Sequence, residues 1–542
     1  MLKTPSASLL RLQLLKLIRN SYRSHQKPKA RMTTDATLPT TTAPAFPARP
    51  TGHLQKPMLA SQRAADAAAA SPNADPSTKK PQGMAFFPLG YKEAVSQWWT
   101  SVSSRQAERD VLSFMPFLQE ASTEAAQSLT ELAKTDPFGQ RTWRSSMVQL
   151  AGKNRALNEL AIQRVGEQAE NTLVMLHGYG AGLGFFYKNF EPLSRSKGWQ
   201  LFALDMLGMG NSARPSFKIS ATDPKEKIRE AEAWFVDSLE EWRRVRNIDK
   251  FTLMGHSLGG YLAVSYAIKY PGHLNKLILA SPVGIPEDPW AVNDALPEPN
   301  ASTMANEFTQ DQESITCATE PTAPSLPNKA PSKPNAPAAP PKRPLPSWLV
   351  WLWDANVSPF SIVRLTGPLG PRFVSGWTSR RFNHLPPGEK EALHSYAYSL
   401  FRQRGSGEYA LPYLLAPGAY ARSPVINRIQ EVGRQVITPA TDSKPEVRET
   451  GFPIVFMYGE HDWMDVAGGY AAEEKLKRRI EKALVGGTDE EKKRESGAAK
   501  VLVVQRAGHH LYLDNPEQFN DMVRGEMEET AEEGRRRAKA GL

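Results

Sequence analysis

Residues 250–270 read "KFTLMGHSLGGYLAVSYAIKY". An apolar run with Phe251, Leu253 and Met254 enters a turn, Gly255-His256-Ser257-Leu258-Gly259, and an apolar helix pattern leaves it. This is a G-x-S-x-G set between a strand and a helix, the context that lifts a serine onto a sharp, exposed turn. Gly255 and Gly259 are required there because side chains beside so tight a turn would collide with it. The plain alternative is a Gly-rich strand–helix turn carrying an ordinary serine.

Working outward, the same short apolar runs recur, each ending in a Gly-containing turn: "TLVMLHG", "QLFALDMLG", "KLILASPVG", "PIVFMYG" and "KVLVVQRAG". Their length and β-branched content suit buried parallel strands. Helical patterns such as "EAEAWFVDSLEEWRRVR" separate most of them, which predicts a doubly wound α/β sheet. "LNELAIQRV" alternates as an edge strand would, and "SRQAERDVLSFM" reads as helix. The charged stretch "VGGTDEEKKRESGAAK" reads as a surface loop.

A serine is a weak nucleophile at neutral pH, so it needs a base, and the base needs an acid to orient it. In this type of sheet they follow in the order Ser, Asp, His. "PIVFMYGEHDWMD" supplies Asp462 just after a strand, while Asp465 is placed to cap the next helix. "VLVVQRAGHHLYLD" supplies the histidine turn. His509 follows the strand directly and is the candidate base; His510 stands behind it. Candidate oxyanion donors are the backbone N–H groups of Leu258 and of Tyr179, in the early turn "HGYGAG", each worth roughly 3–4 kcal/mol. His177 is assigned to holding that turn, and His256 and His461 to packing or solvent. The single cysteine, Cys317, excludes an intrachain disulfide and a Cys-rich metal site. No metal or other cofactor is called for.

His509 and Asp514 also form His-x4-Asp, the spacing used by glycerolipid acyltransferases. The plain reading of Asp514 is a helix cap, three residues before Glu517 with Pro516 in the first turn.

The insertion between the strand pairs divides in two. Residues 286–346 are low-complexity, with twelve prolines from Pro297 to Pro346, and should be a flexible insertion. Residues 347–449 are apolar and helical in character, placed where a lid would cover the strand ends. The core then occupies 86–285 and 450–542. Ahead of it, 32–85 is Thr-, Pro-, Ala- and Ser-rich and reads as a disordered linker.

The net charge of +10 is concentrated at the start. Lys3, Arg11, Lys16, Arg19, Arg23, Lys27, Lys29 and Arg31 precede the first acid, Asp35, leaving about +2 for the rest. That distribution speaks against a nucleic-acid surface. Residues 1–31 have the composition of a mitochondrial presequence, and Met32 offers an internal start without it. No apolar run reaches the roughly 18–20 residues that span a bilayer. Membrane contact would be peripheral, through Trp98 and Trp99 or through Trp348, Trp351 and Trp353, since tryptophan suits the interface.

"LHGYGAG", "DMLGMGNSARP", "GHSLGGYLA", "SPVGIP", "GPLGPRFV", "GSGEYA", "YGEHDWMD" and "AGHHLYLDNPEQFN" together resemble one subfamily of α/β-hydrolases. It contains the lipid-droplet lipase coactivator, the N-acyl-phospholipid lipase and the fungal mitochondrial cardiolipin-specific deacylase. The resemblance covers about Trp98 to the last helix, apart from the Pro-rich insertion and the loop near Gly487. It implies an α/β-hydrolase fold with a helical lid, acyl-ester chemistry on lipids and work at a phospholipid membrane surface. It also implies a base at His509 and lipid-surface binding through the segment with Trp98 and Trp99. The coactivator lacks the serine that stands here as Ser257, which favours an enzyme: a cardiolipin deacylase, or else a lysophospholipid acyltransferase or a non-enzymatic coactivator. Arg372, Arg380 and Arg381 are candidates for a basic lid rim facing an anionic lipid, with solvated surface charge as the plain reading.

Overall fold

A computed structural model describes residues 88–121, 136–287, 358–416, 420–441 and 446–541. The segments expected to be a presequence (1–31) and a linker (32–85), Met32 among them, nearly all of the Pro-rich insertion, Cys317 and the three tryptophans Trp348, Trp351 and Trp353 lie outside these residues.

The strands are β1 (Gln119–Glu120), β2 (Arg141–Gln149), β3 (Ala156–Arg164), β4 (Asn171–Leu176), β5 (Trp199–Leu204), β6 (Phe251–His256), β7 (Leu274–Ala280), β8 (Val436–Thr438), β9 (Val447–Arg448), β10 (Pro453–Gly459) and β11 (Ala498–Val504). Nine form one sheet in the order β1-β2-β3-β5-β4-β6-β7-β10-β11, and β8 and β9 form a separate hairpin. Only β3 runs antiparallel to its neighbours in the main sheet; β5, β4, β6, β7, β10 and β11 are parallel in succession. The mostly parallel α/β sheet is therefore as expected. β4 and β6 are almost wholly buried apolar runs because helices cover both faces of such a sheet.

The helices are α1 (Tyr91–Thr100), α2 (Ser104–Leu112), α3 (Tyr187–Leu193), α4 (Pro224–Val245), α5 (Leu258–Lys269), α6 (Pro359–Leu365), α7 (Gly370–Arg381), α8 (Pro387–Phe401), α9 (Leu411–Leu414), α10 (Val466–Gly486), α11 (Asp489–Arg494), α12 (Leu511–Asp514) and α13 (Pro516–Lys539). Helices α6 to α9 belong to the insertion between β7 and β10, and α2 packs on α8.

Two local expectations are corrected. The stretch 157–165 falls, all but Val165, in β3, which is an interior strand and not an edge. Asn158 and Glu159 are buried because distant groups satisfy them: Trp242 Nε1 donates to Glu159 at 2.7 Å, and Arg246 pairs with it. The charged stretch expected as a loop contains helix α11. Its Thr488 hydroxyl accepts the Glu491 N–H, while the Glu491 carboxylate accepts the Thr488 N–H. That reciprocal cap starts a helix with no apolar face to announce it.

Candidate active site

Strand β6 runs buried to His256, and the chain turns at Ser257 with φ 52° and ψ −116°. A non-glycine residue in that region is strained, and such strain concentrates at functional turns. The neighbouring glycines explain how the turn closes. A Cβ on Gly255 would lie 2.3 Å from the Gly259 carbonyl oxygen, and one on Gly259 2.7 Å from those of Leu176 and His177. Helix α5 thus begins against the ends of the strands, and the Leu258 N–H is its first, without an intrahelical acceptor.

Asp462 follows β10 and His509 follows β11. His509 Nδ1 lies 3.1 Å from Asp462 Oδ1, and both side chains are 1% exposed. Asp462 Oδ1 also accepts the Met464 N–H at 3.0 Å, and Oδ2 accepts from the Ser281 hydroxyl. Burial alone would raise the Asp462 pKa. The His509 charge and these hydrogen bonds outweigh it and hold the carboxyl below its ordinary value. Ser281 was not singled out in the sequence. Its φ of 45°, at the end of β7 between β6 and β10, is a conformational signal with no clear composition signature.

His256 does more than fill space. Its Nε2 lies 3.0 Å from the His509 carbonyl oxygen, and the rings are 4.8 Å apart. Burial, then the nearby His509, pushes its pKa well down, so the ring is neutral and its Nε2–H donates to that carbonyl. The elbow and the histidine turn are thereby tied together.

The early turn closes the site from the other side. A Cβ on Gly178 would sit 2.8 Å from His256 Nδ1 and 3.1 Å from Ser257 Cβ, so this backbone lies against the elbow. The Tyr179 ring stacks on Phe360 of α6 at 5.0 Å. His177 is fully buried; its Nδ1 bonds the Gly178 carbonyl at 2.7 Å and its Nε2 accepts the Met206 N–H at 3.1 Å. It holds the turn onto the end of β5.

Asp514 is not the helix cap. Asn515 takes that place, its side chain accepting the Gln518 N–H at 3.3 Å. Asp514 instead turns back into the histidine loop, where Oδ2 accepts the Gly508 N–H at 2.9 Å. Two side chains of the insertion reach it: Arg381, 3.8 Å away, and His384, 3.7 Å away. Arg381 also donates to His510 Nδ1, which burial and the adjacent guanidinium keep neutral. Arg381, whose side chain is 9% exposed, therefore belongs to the interior and not to a solvated rim. Arg372 donates to the Leu89 carbonyl at 2.5 Å and lies over the Tyr91 ring, and Arg380 is exposed.

Asp465 caps α10 through the Ala467 N–H at 2.9 Å. His461 is half-exposed beside Glu460. Among the described residues no group of three or more His, Cys, Asp or Glu side chains could hold a metal ion, and no helix is long and apolar enough to cross a membrane.

A family model described as alpha/beta hydrolase fold matches residues 171–516. A rice protein named "Probable 1-acylglycerol-3-phosphate O-acyltransferase" is 31% identical over 363 residues, 66% of this chain and 67% of its own. The mouse "1-acylglycerol-3-phosphate O-acyltransferase ABHD5" is 28% identical, covering 71% of this chain and 84% of its own. The mouse "(Lyso)-N-acylphosphatidylethanolamine lipase" is 29% identical, covering 66% and 79%.

Proposed function

The chain belongs to the α/β-hydrolase fold family, and from that premise we propose that it is a serine acyl-hydrolase of glycerophospholipids. The observation that carries this reading is the strained Ser257 turn joined, through His256, to a buried His509–Asp462 pair. Ser257 Oγ attacks an acyl carbonyl while His509 takes its proton through Nε2. Asp462 holds the Nδ1–H and balances the imidazolium that forms. The carbonyl oxygen, now anionic, is received by the N–H groups of Leu258 and Tyr179. His509 then protonates the departing lysolipid oxygen, leaving an acyl-serine. Water, activated by the same histidine, releases the fatty acid.

The acyl-serine can also meet a lysolipid hydroxyl in place of water. The names of the rice relative and of the mouse ABHD5 favour this second outcome, that of the mouse lipase favours the first, and transfer needs no residue beyond those used for hydrolysis. The purified chain, offered a diacyl phospholipid with and without a lysophospholipid acceptor, separates the two by product: free fatty acid or re-acylated lipid.

For the lipid itself, the proposal is cardiolipin on mitochondrial membranes, supported by the basic, acid-free first 34 residues and by the subfamily resemblance. Fluorescent fusions of the full chain should localise to mitochondria, and those begun at Met32 should not. Lipid mass spectrometry should find monolysocardiolipin formed when the full chain is expressed. Droplet or cytosolic location of the full chain, with cardiolipin unchanged on deletion, rejects this part.

Contact with the bilayer is assigned to α1. Tyr91, Val95, Trp98 and Trp99 are exposed at helical spacing, Trp99 by 80%, and Val102 is exposed just beyond the helix end. Helix α1 packs on residues 367–369 and on α7, and that part of the insertion exposes Leu365, Leu369 and Phe373 as well. Trp99→Ala should weaken binding to phospholipid vesicles by about fivefold, the scale of one aromatic ring leaving the interface. Hydrolysis of a water-soluble short-chain ester should be unchanged, and equal vesicle binding would remove α1 from the contact.

A further inference from the structure

Behind the early turn lies an acidic cluster that the reaction does not use. Glu108 of α2 and Asp205 at the end of β5 are both buried. They share one amide: Asn158 Nδ2 donates to Glu108 Oε2 at 3.0 Å and to Asp205 Oδ2 at 2.9 Å. Asn211 links them again, its Nδ2 lying 2.8 Å from Glu108 Oε2 and its N–H 2.7 Å from Asp205 Oδ2. The Tyr396 hydroxyl, from α8 of the insertion, lies 3.2 Å from Glu108 Oε2 and accepts the Gly184 N–H at 3.4 Å. Asp205 Oδ1 accepts the Leu183 N–H at 2.7 Å. One cluster thus binds α2, α8 and residues 183–184 of the loop whose start, Gly178, abuts Ser257.

The charges around it do not balance. Among the described residues no Lys or Arg is ion-paired with either carboxyl. His177, 3.7 Å from Asp205, is driven toward the neutral form by burial. Arg214 acts on Asp205 only through its field, and its hydrogen bonds go to the carbonyls of Gly208, Gly210 and Arg404 and to Gln403. On α2 itself Arg105 and Arg109 are exposed, and Arg109 pairs with Glu120; Asp110 accepts from Gln106. On α8, Glu389 pairs with Lys188. Tyr396 stays a neutral phenol, its pKa raised by burial. Two anions side by side in this interior, with no cation paired to either, would repel each other strongly.

We propose that Glu108 is a positioning residue that keeps its proton in the active protein, so that only one of the two adjacent carboxyls is charged and the cluster joining α2, α8 and residues 183–184 stays closed behind the nucleophile. The proposal rests on the Ser257 reading for its effect on turnover. When the proton leaves to bulk water, a second negative charge appears beside Asp205, and the loop that presents the Tyr179 N–H is loosened. Burial, then the Asp205 charge, raises the Glu108 pKa from 4.5 to about 8 against the hydrogen bonds from Asn158, Asn211 and Tyr396. The sign follows from linkage. A carboxyl raised on folding contributes its full stability below its unfolded value, and the contribution is lost as pH climbs to the folded value. Stability should decline from about pH 4.5 to about pH 8, and turnover, which follows the proton in the folded state, between neutrality and about pH 9.

The test compares full-length wild type with Glu108→Gln, which keeps the shape but cannot ionise. Expected is turnover at pH 7 within about threefold of wild type, and an alkaline decline displaced upward by at least about one pH unit. Melting temperature, which should fall between about pH 5 and 8 in wild type, should be flatter over that range in the variant. An alkaline midpoint identical in both proteins overturns the proposal, as does a folded variant inactive at pH 7 with an unchanged melting profile. The melting arm does not need catalysis: a flattened profile in a protein inactive in both forms sinks the serine reading and leaves the protonated Glu108 standing. Should Glu108→Gln fail to fold, infrared titration of wild type decides. A protonated-carboxyl band at pH 7 that disappears around pH 8 is expected, and none at pH 7 overturns the proposal.

Discussion

Ser257→Ala abolishes phospholipid cleavage and lysolipid acylation together, lowering kcat by about four orders of magnitude or more, the cost of losing one member of such a catalytic unit. The two activities fall together because both begin with the same acyl-serine. The fold should survive. The side chain lost is a single hydroxyl, and alanine accepts the φ of 52° no worse than serine does. Circular dichroism and vesicle binding should match wild type, so that loss of turnover is not loss of protein. If the alanine variant retains full biological effect, the chain acts by binding a partner at a lipid surface and the catalytic reading falls. If only cleavage is lost while acylation persists, transfer runs on another residue.

What could be read from the sequence, and what could not, divides by the reach of the interactions involved. The elbow was legible because glycines flank Ser257 between a strand and a helix pattern; Gly255 avoids a collision within the turn, and Gly259 one with the backbone of Leu176 and His177. The parallel strands were legible because burial on both faces leaves continuous apolar runs. β3 was misread as an edge because Asn158 and Glu159 look solvated. They are buried by Glu108, Asp205, Trp242 and Arg246, partners between 47 and 87 residues away that no local window contains. For α11 the capping pair Thr488 and Glu491 was present in the sequence, but a solvent-facing helix lacks the apolar period that draws attention to one. At the last helix Asp514 with Glu517 reads as the cap in the sequence, whereas the structure uses Asn515 with Gln518, one residue on. The choice was made outside the segment, by Arg381 and His384 of the insertion, which claim the Asp514 carboxylate. Ser281 and Glu108 were missed, and Arg381 was placed on the lid rim, for the same reason, since each acts on a group brought near only by the completed fold.

That placement changes what substitution of Asp514 should do. A residue serving as a cap would tolerate asparagine, which caps about as well as aspartate. Here the carboxylate accepts the Gly508 N–H beside His509 and offers the negative charge facing Arg381. Asp514→Ala leaves that guanidinium buried next to a neutral His510 and frees the turn that carries the base. A cost of about 3 kcal/mol is expected, the scale of a buried pair broken from one side, read as a fall of several degrees in melting temperature. Asp514→Asn keeps an acceptor for Gly508 but not the charge, so it should lose roughly half as much. Misplacement of His509 should lower hydrolysis and acyl transfer in parallel, by about tenfold in the alanine variant. The opposite pattern belongs to a His-x4-Asp acyltransferase dyad: acylation of lysophospholipid collapses while hydrolysis and melting temperature hold. Assaying both reactions on the two purified variants separates these outcomes, and the second would remove Asp514 from the contact between the insertion and the histidine loop and assign it to the chemistry.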